Sequence, residues 1–374
     1  MRVLADAHIP GIAAGLERIG CEPALVEGLQ IDRERILSSR AEALLVRTLT
    51  RVDRSLLQGS AIRFVGAPTA GTDHLCLADL DALGIGWAHA PGCNAPEVIA
   101  HVLAALHELA VPLDGRTRVG IVGLGHVGWG LAGALDALGV AWLGADPLRP
   151  DRANAAGLQA LLGCQVVSLH ASLLDGGEHS AAGLVDEDFA RGFSGRVLVN
   201  TARAGLVRPG ALRILLERGV EVVQDVWCSE PAPSDEECEL LEAMQLPTPH
   251  IAGYGAAAKQ RGTQMVLQGL ARWLEAAGGP SGGTSGGASG AAGGNWTVAQ
   301  DHRGLPAAPA AEESWTPQQI ERIGKVLDLR TYSREFRWIV LDADSDSDLD
   351  GAKKSTAVEA LRRQAAERDG VPPI

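Results

Sequence analysis

A glycine-rich turn in the middle of the chain has the spacing of a dinucleotide-binding loop. Gly123, Gly125 and Gly128 form the pattern GxGxxG directly after the apolar run at 119–122 and before an amphipathic helical stretch. The first glycine permits a tight turn, the second lets a pyrophosphate approach the backbone, and the third lets the helix pack closely on the strand. Asp146 ends the next predicted strand, where its carboxylate can accept hydrogen bonds from an adenosine ribose. These residues together predict a nicotinamide dinucleotide site.

The acid at this position also indicates which dinucleotide is bound. Asp146 would repel a 2′-phosphate and therefore favours NAD over NADP, whereas the nearby cation Arg149 argues weakly for NADP. We predict NAD as the cofactor, and we expect His126 and Val127 of the same turn to contact it. A glycine turn with a purely structural role is the alternative, and the combination of strand, helix and acid disfavours it.

Three polar residues in the second half of the chain could together act on a small 2-hydroxy acid. Arg203, Glu230 and His250 each follow a predicted strand or lie in a loop, at the edge where doubly wound sheets bind ligands. Oxidation of a 2-hydroxy acid needs a cation for the carboxylate, a base for the hydroxyl proton and an acid that orients the base. Each residue alone has an ordinary structural explanation, so the prediction depends on the three together.

These residues need a layered scaffold, and alternating apolar runs and helical stretches predict one. The first part of the chain has short apolar runs at 3–4, 44–46 and 64–66 and closes near Pro91. A helical pattern from 96 to about 109 leads into a second series. The apolar runs of that series lie at 119–122, 141–145, 166–169, 197–199 and 222–226. We therefore predict an α/β fold with a doubly wound parallel sheet around the glycine turn.

The composition separates a C-terminal part from the rest of the chain. Residues 278–294 are mostly Gly, Ser and Ala, which predicts a flexible linker. We expect 295–374 to form a small α+β domain of its own. Within it, Thr316 opens a capping box at a helix start, 338–341 could form a strand and 357–367 another helix.

Charge and cysteine usage exclude several classes of function. The formal net charge of -13 disfavours nucleic-acid binding, because that affinity comes mainly from Lys and Arg. The six cysteines contain no CxxC pair, which favours reduced thiols over a disulfide framework or a zinc site. We find no signal-peptide or membrane-helix pattern and expect a cytoplasmic protein. The acidic stretch 346–351 opens like a calcium loop but has Ala357 at its twelfth position, so we predict no metal site.

Over about its first 275 residues the chain resembles the D-isomer-specific 2-hydroxyacid dehydrogenases. The resemblance rests on the glycine turn with Asp146, on Asn200-Thr201-Ala202-Arg203, on Asp225-Val226-Trp227 followed by Glu230-Pro231, and on His250. Longer strings resemble a narrower branch of the family that acts on a phosphorylated hydroxy acid. These strings lie at 46–48, 65–74, 90–95 and 250–263.

The resemblance implies a role for each residue. It implies that His250 is the general acid/base, that Glu230 is its partner and that Arg203 binds and polarises the substrate carboxylate. The residues expected to contact substrate are Arg47, Thr48, Thr69 and Tyr254. Further residues expected to contact the cofactor are Ala202, Asp225 and Gly253.

The resemblance also implies a domain arrangement. A Rossmann NAD-binding domain at 96–252 would be inserted in a flavodoxin-like substrate domain made of 1–95 and a return segment at 253–277. The active site would lie in the cleft, and 295–374 would occupy the place of a domain that makes the enzyme a homodimer.

Several positions depart from the family pattern and keep two alternatives open. The altered positions are Ala100, Ala171, Ala204 and Arg208. Arg208, in place of an acid, could reshape the loop that holds Arg203, and a displacement of about 1 Å can cost on the order of a hundredfold in rate. One alternative is a dehydrogenase for another D-2-hydroxy acid, and the other is an NAD-binding regulator with impaired catalysis.

Overall fold

The computed structural model describes residues 1–152, 156–173, 180–231, 233–276, 315–341 and 351–367. Its contacts divide the chain into two compact units, one formed by Met1–Asn94 and Ala257–Leu305 and the other by Ala95–Ala256 and Pro306–Ile374. The linker predicted at 278–294 and residues 346–350 of the acidic loop lie outside the described residues.

A parallel sheet of five strands forms the centre of the first unit. The strands are β1 (Arg2–Asp6), β2 (Glu22–Val26), β3 (Ala43–Leu45), β4 (Phe64–Ala67) and β5 (Gly86–His89). They lie in the order β2-β1-β3-β4-β5. The helices between them are α1 (Ile12–Arg18), α2 (Arg33–Ser39), α3 (Arg54–Leu57) and α4 (Leu77–Ala82). Strands β3 and β4 are buried and apolar throughout, as is the centre of β1 at Val3, Leu4 and Ala5, because the helices cover both faces of the sheet.

A second parallel sheet, of six strands, forms the centre of the other unit. The strands are β6 (Arg118–Val122), β7 (Ala141–Ala145), β8 (Val166–Leu169), β9 (Val197–Asn200), β10 (Glu221–Gln224) and β11 (Leu246–Pro247). They lie in the order β11-β10-β9-β8-β6-β7. The chain moves from β6 to one side and then returns to the other side at β8. The carboxyl ends of β6 and β8 are therefore the switch point at which such sheets bind ligands.

Helices cover this second sheet. They are α5 (Ala95–Glu108), α6 (His126–Ala137), α7 (Glu187–Gly192), α8 (Pro209–Glu217) and α9 (Asp235–Leu241). The long helix α10 (Ala256–Ala276) belongs to the first unit from Ala257 onward, and its Val266 and Leu270 are buried with Val3 and Phe64. The α/β prediction with a doubly wound parallel sheet is confirmed.

The described C-terminal residues form three helices of the second unit. They are α11 (Pro317–Leu327), α12 (Leu329–Leu341) and α13 (Gly351–Glu367). The predicted capping box at Thr316 is present and begins α11. The strand predicted at 338–341 is wrong, because these residues end α12, with Tyr332, Phe336 and Val340 buried on one helical face. The described part of this segment is thus helical, where an α+β domain was expected.

The C-terminal helices are packed into the hydrophobic cores of the second unit. Ile320 and Ile323 of α11 join the core that contains helix α5. Phe336 lies with its ring centroid 5.3 Å from that of Trp227, and Leu361 of α13 joins the same core. Among the described helices, none is long and apolar enough to cross a membrane.

Candidate active site

The glycine turn joins β6 to α6 and is closed by contacts that only glycine allows. Gly123 has a φ of 87°, and its amide donates to the carbonyl oxygen of Ala145 at 2.8 Å. A Cβ on Gly128 would lie 1.9 Å from the carbonyl oxygen of Gly123, so this position has no room for a side chain. A Cβ on Gly125, in contrast, would meet no atom within 4 Å in the part of the chain that the structure describes. The second glycine therefore faces open space at the start of α6.

Asp146 ties the turn to the end of β7. Its Oδ2 accepts a hydrogen bond from the Leu124 amide at 2.7 Å, and its Oδ1 accepts one from the Leu148 amide at 2.9 Å. Each carboxylate oxygen retains a second lone pair that can accept a ribose hydroxyl. The cation Arg149 is buried beside this loop.

The residues of the turn fit a dinucleotide. Open space over Gly125, the first-turn amides of the twelve-residue helix α6 and an acid at the end of β7 are the features that a pyrophosphate and a ribose require. The backbone of Ala171 lies against the turn, since a Cβ on Gly123 would come within 2.6 Å of its amide nitrogen. His170 beside it bonds Ser168 through Nε2 at 2.8 Å, and burial lowers the pKa of His170 to about 3. His170 is therefore neutral at pH 7.

Glu230 and His250 form a hydrogen-bonded pair near the carboxyl end of β10. His250 Nδ1 lies 2.7 Å from Oε1 and 2.8 Å from Oε2 of Glu230. A carboxylate accepts only, so Nδ1 carries the proton and donates it to Glu230. This tautomer leaves the lone pair on Nε2 of a side chain that is 42% exposed. The pair is therefore arranged as a general base with an orienting carboxylate.

The surroundings of Glu230 keep its carboxylate ionised. Burial acts to raise its pKa, but the hydrogen bond and charge of His250, the charge of Arg362 and the Trp227 amide act in the opposite direction. Together they lower the pKa of Glu230 to about 2. The carboxylate can therefore stabilise a positive charge that develops on His250.

The loop that carries His250 is held in a strained conformation. His250 has a φ of 57°, in the left-handed region that residues other than glycine rarely adopt. Asp225, which is wholly buried, accepts hydrogen bonds from the Ile251 and Ala252 amides, both at 2.8 Å, and from Thr248 Oγ1 at 2.6 Å. Three donors thus fix the loop on both sides of His250. Both oxygens of Asp225 are engaged in this clamp, and its expected contact with the cofactor stays a prediction.

Arg203 follows β9 in a turn that a buried amide organises. The Asn200 amide nitrogen donates to the Arg203 carbonyl oxygen at 3.0 Å, and its Oδ1 accepts from the Ala202 amide at 3.2 Å. Arg208, the altered residue in this loop, lies 3.8 Å from Glu187 and precedes α8. The second unit therefore brings the loops of Arg203, Glu230 and His250 to the ends of the adjacent strands β9, β10 and β11.

The expected substrate residues of the first unit lie at the carboxyl ends of its central strands. Arg47 and Thr48 follow β3, and Arg47 Nε donates to Oδ2 of the wholly buried Asp6 at 2.7 Å. Thr69 follows the adjacent strand β4 and donates to the Gly71 carbonyl oxygen at 2.7 Å. Their contacts with substrate, like those of Gly253 and Tyr254 in the other unit, stay predictions.

Sequence reasoning missed two supporting residues, Asp6 and Arg362, and it gave Asp225 a cofactor contact without its structural role. Asp6 holds Arg47, Asp225 clamps the His250 loop, and Arg362 reaches Glu230 at 2.9 Å from α13. An acid at the end of a buried strand is a signal that could have identified Asp6, and the structural role of Asp225, as buried partners. The sequence around Arg362 carries no such signal, since a second arginine follows it at once.

The chain matches known proteins over about three quarters of its length. Residues 106–252 match the family described as D-isomer specific 2-hydroxyacid dehydrogenase, NAD binding domain. A curated protein of Pseudomonas putida named erythronate-4-phosphate dehydrogenase is 41% identical over 287 residues, which cover 74% of this chain and 74% of that protein. A protein of the same name from Escherichia coli is 38% identical over 285 residues, covering 73% and 74%.

Solved structures show the same fold at lower identity. The NAD-bound 3-phosphoglycerate dehydrogenase of Entamoeba histolytica has a TM-score of 0.61 at 20% identity and covers 76% of this chain and 99% of that one. A D-lactate dehydrogenase of Aquifex aeolicus, solved with NAD and lactic acid, has a TM-score of 0.59 at 19% identity, with 76% and 100% covered. About three quarters of this chain therefore shares its fold with these two proteins.

Proposed function

This chain belongs to the D-isomer-specific 2-hydroxyacid dehydrogenases, a family of NAD-dependent oxidoreductases, and we propose that it oxidises 4-phospho-D-erythronate to the 2-oxo acid. The product would be 3-hydroxy-2-oxo-4-phosphonooxybutanoate, an intermediate on the way to pyridoxal 5′-phosphate. The reaction type rests on the pairing of Glu230 with His250 Nδ1 at 2.7 Å. The choice of substrate is based on the name shared by the relatives of about 40% identity.

Each residue of the pair has a defined task in this reaction. His250 Nε2 takes the proton of the C2 hydroxyl, and Glu230 stabilises the imidazolium that results. Arg203 binds the substrate carboxylate and polarises the bond at C2. The residues of the glycine turn and Asp146 would hold NAD, which when bound supplies the acceptor for the hydride that leaves C2. In the reverse direction His250 returns the proton to the oxo group.

The first unit would recognise the rest of the substrate. Arg47, Thr48 and Thr69 lie at the ends of adjacent strands of its sheet, where ligands of parallel sheets bind. The Asp6 carboxylate fixes the Arg47 guanidinium in one orientation while its Nη atoms remain the fork that suits a phosphate or carboxylate. We assign Arg47 to the phosphate group of the substrate, since Arg203 binds the carboxylate.

We propose further that the enzyme works as a cytoplasmic homodimer on a small-molecule substrate. The proposal rests on the resemblance to relatives with a C-terminal dimerisation domain. Sedimentation equilibrium of the purified protein measures the assembly directly. A mass of 39.0 kDa at micromolar concentration would contradict the dimer, and twice that mass would support it.

The function is tested by following nicotinamide reduction with 4-phospho-D-erythronate as substrate. A parallel sample contains a 2-oxo acid, which recycles any NADH that stays bound. We expect turnover in the wild type and a loss of about 10²–10⁴-fold in kcat for His250→Asn, because the general base is removed. His107→Asn, at an exposed histidine of α5, is the matched control and should leave kcat unchanged.

A panel of other 2-hydroxy acids separates the alternatives. Turnover of D-glycerate or D-lactate with no turnover of the phosphorylated acid would contradict the proposed substrate and leave the reaction type intact. NAD binding without turnover of any member would indicate a regulator. Activity of His250→Asn equal to that of the wild type would contradict the assigned mechanism.

A further inference from the structure

The guanidinium of Arg362 is buried against the candidate catalytic pair. Arg362 lies on α13, its side chain is 10% exposed, and its three nitrogen atoms each have a partner. Nη2 donates to Glu230 Oε2 at 2.9 Å, Nε donates to the Pro249 carbonyl oxygen at 2.5 Å, and Nη1 donates to Glu359 Oε1 at 2.8 Å. A charge in such surroundings is stable only with this full set of partners.

Two of these partners are the two supports of the general base. Glu230 bonds the imidazole of His250, and Pro249 directly precedes His250 in the chain. Glu230 lies in a loop, and in the described part of the chain its other donors are His250 itself and the Trp227 amide at 3.3 Å. Oε1 also accepts from the Trp227 amide, whereas among the described residues Oε2 has only the imidazole and Arg362 as donors. Without Arg362, Oε2 would be held only by the imidazole that Glu230 is meant to orient, and the carboxylate could rotate about its terminal bonds.

The strained backbone at His250 also needs external support. Its φ of 57° is unfavourable for a residue with a Cβ, so the neighbouring peptides must be held from outside. Asp225 holds the two amides that follow His250. Arg362 holds the carbonyl oxygen that precedes it. The loop is thus clamped at both ends, by residues 137 positions apart (225 to 362).

Helix α13 is itself anchored by packing. Val358 and Leu361 are buried in the core that also contains Phe336 and Trp227. Trp227 lies three residues before Glu230, so the same core supports the helix and the start of the Glu230 loop. The position of the Arg362 guanidinium relative to Glu230 is therefore determined by hydrophobic packing within one unit.

We propose that Arg362 is a positioning residue of the active site, which aligns the Glu230 carboxylate and the backbone at His250 for proton transfer. This inference rests on the proposed function, since it assigns His250 as the base. It gives the C-terminal segment a part in catalysis that acts through Glu230 and the backbone at His250. Removal of the guanidinium should lower kcat and leave cofactor affinity unchanged. The hydrogen bonds of Arg362 go to Glu230, Pro249 and Glu359, which lie at or near the base His250 and not at the glycine turn.

The test compares Arg362→Met with Arg363→Met. Arg363 is the next residue on the helix and is exposed, and among the described residues its hydrogen bond goes to the Glu359 carbonyl oxygen of its own helix. We expect Arg362→Met to lose about 10- to 100-fold in kcat, with the KM and dissociation constant for NAD within about twofold of the wild type. Arg362→Lys keeps the charge and one donor and should recover part of the loss. Arg363→Met should match the wild type.

A double variant establishes that the effect passes through Glu230. In a Glu230→Gln background, Arg362→Met should lower kcat by less than about a further threefold, because the carboxylate that Arg362 aligns is already absent. Fully additive losses would overturn the proposal, as would a kcat of Arg362→Met equal to that of Arg363→Met. If the NAD affinity falls in parallel with kcat, the role is general folding and the proposal is wrong.

A crystal structure of Arg362→Met tests the inference without substrate. We expect the Glu230 carboxylate to turn so that His250 Nδ1 no longer lies within 3.5 Å of both of its oxygens. An unchanged Glu230–His250 geometry would overturn the proposal even if no 2-hydroxy acid is turned over. A wild type without turnover but with this displacement in the variant would contradict the proposed function alone.

Discussion

Replacement of Gly125 by alanine should separate cofactor binding from folding. Gly125 precedes α6 with φ −73° and ψ −154°, an extended conformation that an alanine adopts without strain. Its added Cβ would meet no atom of the described residues within 4 Å. The methyl group would, however, occupy the space through which a pyrophosphate approaches the backbone. Gly128→Ala is the opposite case, because its Cβ would lie 1.9 Å from the Gly123 carbonyl oxygen.

The open space at Gly125 and the 1.9 Å contact at Gly128 predict different effects on stability and on NAD binding. For Gly125→Ala we expect a change of less than about 0.5 kcal/mol in the free energy of unfolding, since the site is open. Insertion of a methyl group into a packed contact costs about 1–3 kcal/mol, which corresponds to NAD binding weakened by about 5- to 150-fold. For Gly128→Ala the same cost falls on folding, because the turn and α6 must separate by more than about 1 Å to reach van der Waals contact.

Isothermal titration of NAD measures the dissociation constant, and thermal unfolding without NAD measures stability. Gly163→Ala is the matched control. It also faces open space, and it lies before the amino end of β8, at the edge of the sheet away from the glycine turn. This variant should bind NAD and unfold as the wild type does.

The expected pattern is weak NAD binding with normal stability for Gly125→Ala and lowered stability for Gly128→Ala. Wild-type affinity in Gly125→Ala would refute the assignment of this turn as the pyrophosphate site. A large loss of stability in Gly125→Ala would refute the reasoning from open space, and its NAD affinity would then carry no information about the site.

Three further predictions concern charge. The pKa of Glu230 is lowered to about 2 from 4.5, so its stabilising effect is present above pH 4.5 and is lost as the pH falls towards 2. Between pH 4.5 and 2, the free energy of unfolding measured with urea should fall by roughly 1–2 kcal/mol less in Glu230→Gln than in the wild type. Equal decreases in the two proteins would contradict this. The pKa of His170 is lowered to about 3, so protonation of the unfolded chain destabilises the fold as the pH falls from 6.5, and His170→Asn should flatten the pH dependence of unfolding between pH 6.5 and 4. Asp146→Asn removes the charge that repels a 2′-phosphate, so the ratio of NADP to NAD dissociation constants should fall at least about tenfold, and an unchanged ratio would exclude Asp146 as the selecting residue.

The sequence predicts best the strands that are covered on both faces and therefore consist of nearly continuous apolar runs. The runs at 119–122, 141–145 and 166–169 form β6, β7 and β8 within one residue. The edge strand β2 was missed because it is partly exposed and contains Glu22 and Pro23. The hydrophobic pattern at such an edge is too weak to separate a strand from a loop.

Local propensity explains the strand wrongly predicted at 338–341. Residues 338–341, Trp-Ile-Val-Leu, have the composition of a strand. In α12 the residues that are buried recur at helical spacing, at Tyr332, Phe336 and Val340, while Trp338 is 62% exposed. Packing against the core of the second unit overrides the preference of four residues, and a four-residue window does not contain that information.

The sequence predicts the residues of the candidate site that the reaction requires, but not those that are required only by the geometry of the fold. A hydride transfer from a hydroxy acid demands a cation, a base and an acid at strand ends, and a reader of the sequence can look for Arg203, Glu230 and His250 on that ground. Nothing chemical demands that the carboxylate be braced by a residue 132 positions further along the chain. Arg362 and Arg363 are identical in type and adjacent on one helix, and only the 100° rotation between them on the helix places one beside Glu230 and the other in solvent. If Arg362 acts as proposed, substitutions on the buried face of α13 should affect turnover more than substitutions on its exposed face, because the buried face sets the distance between guanidinium and carboxylate.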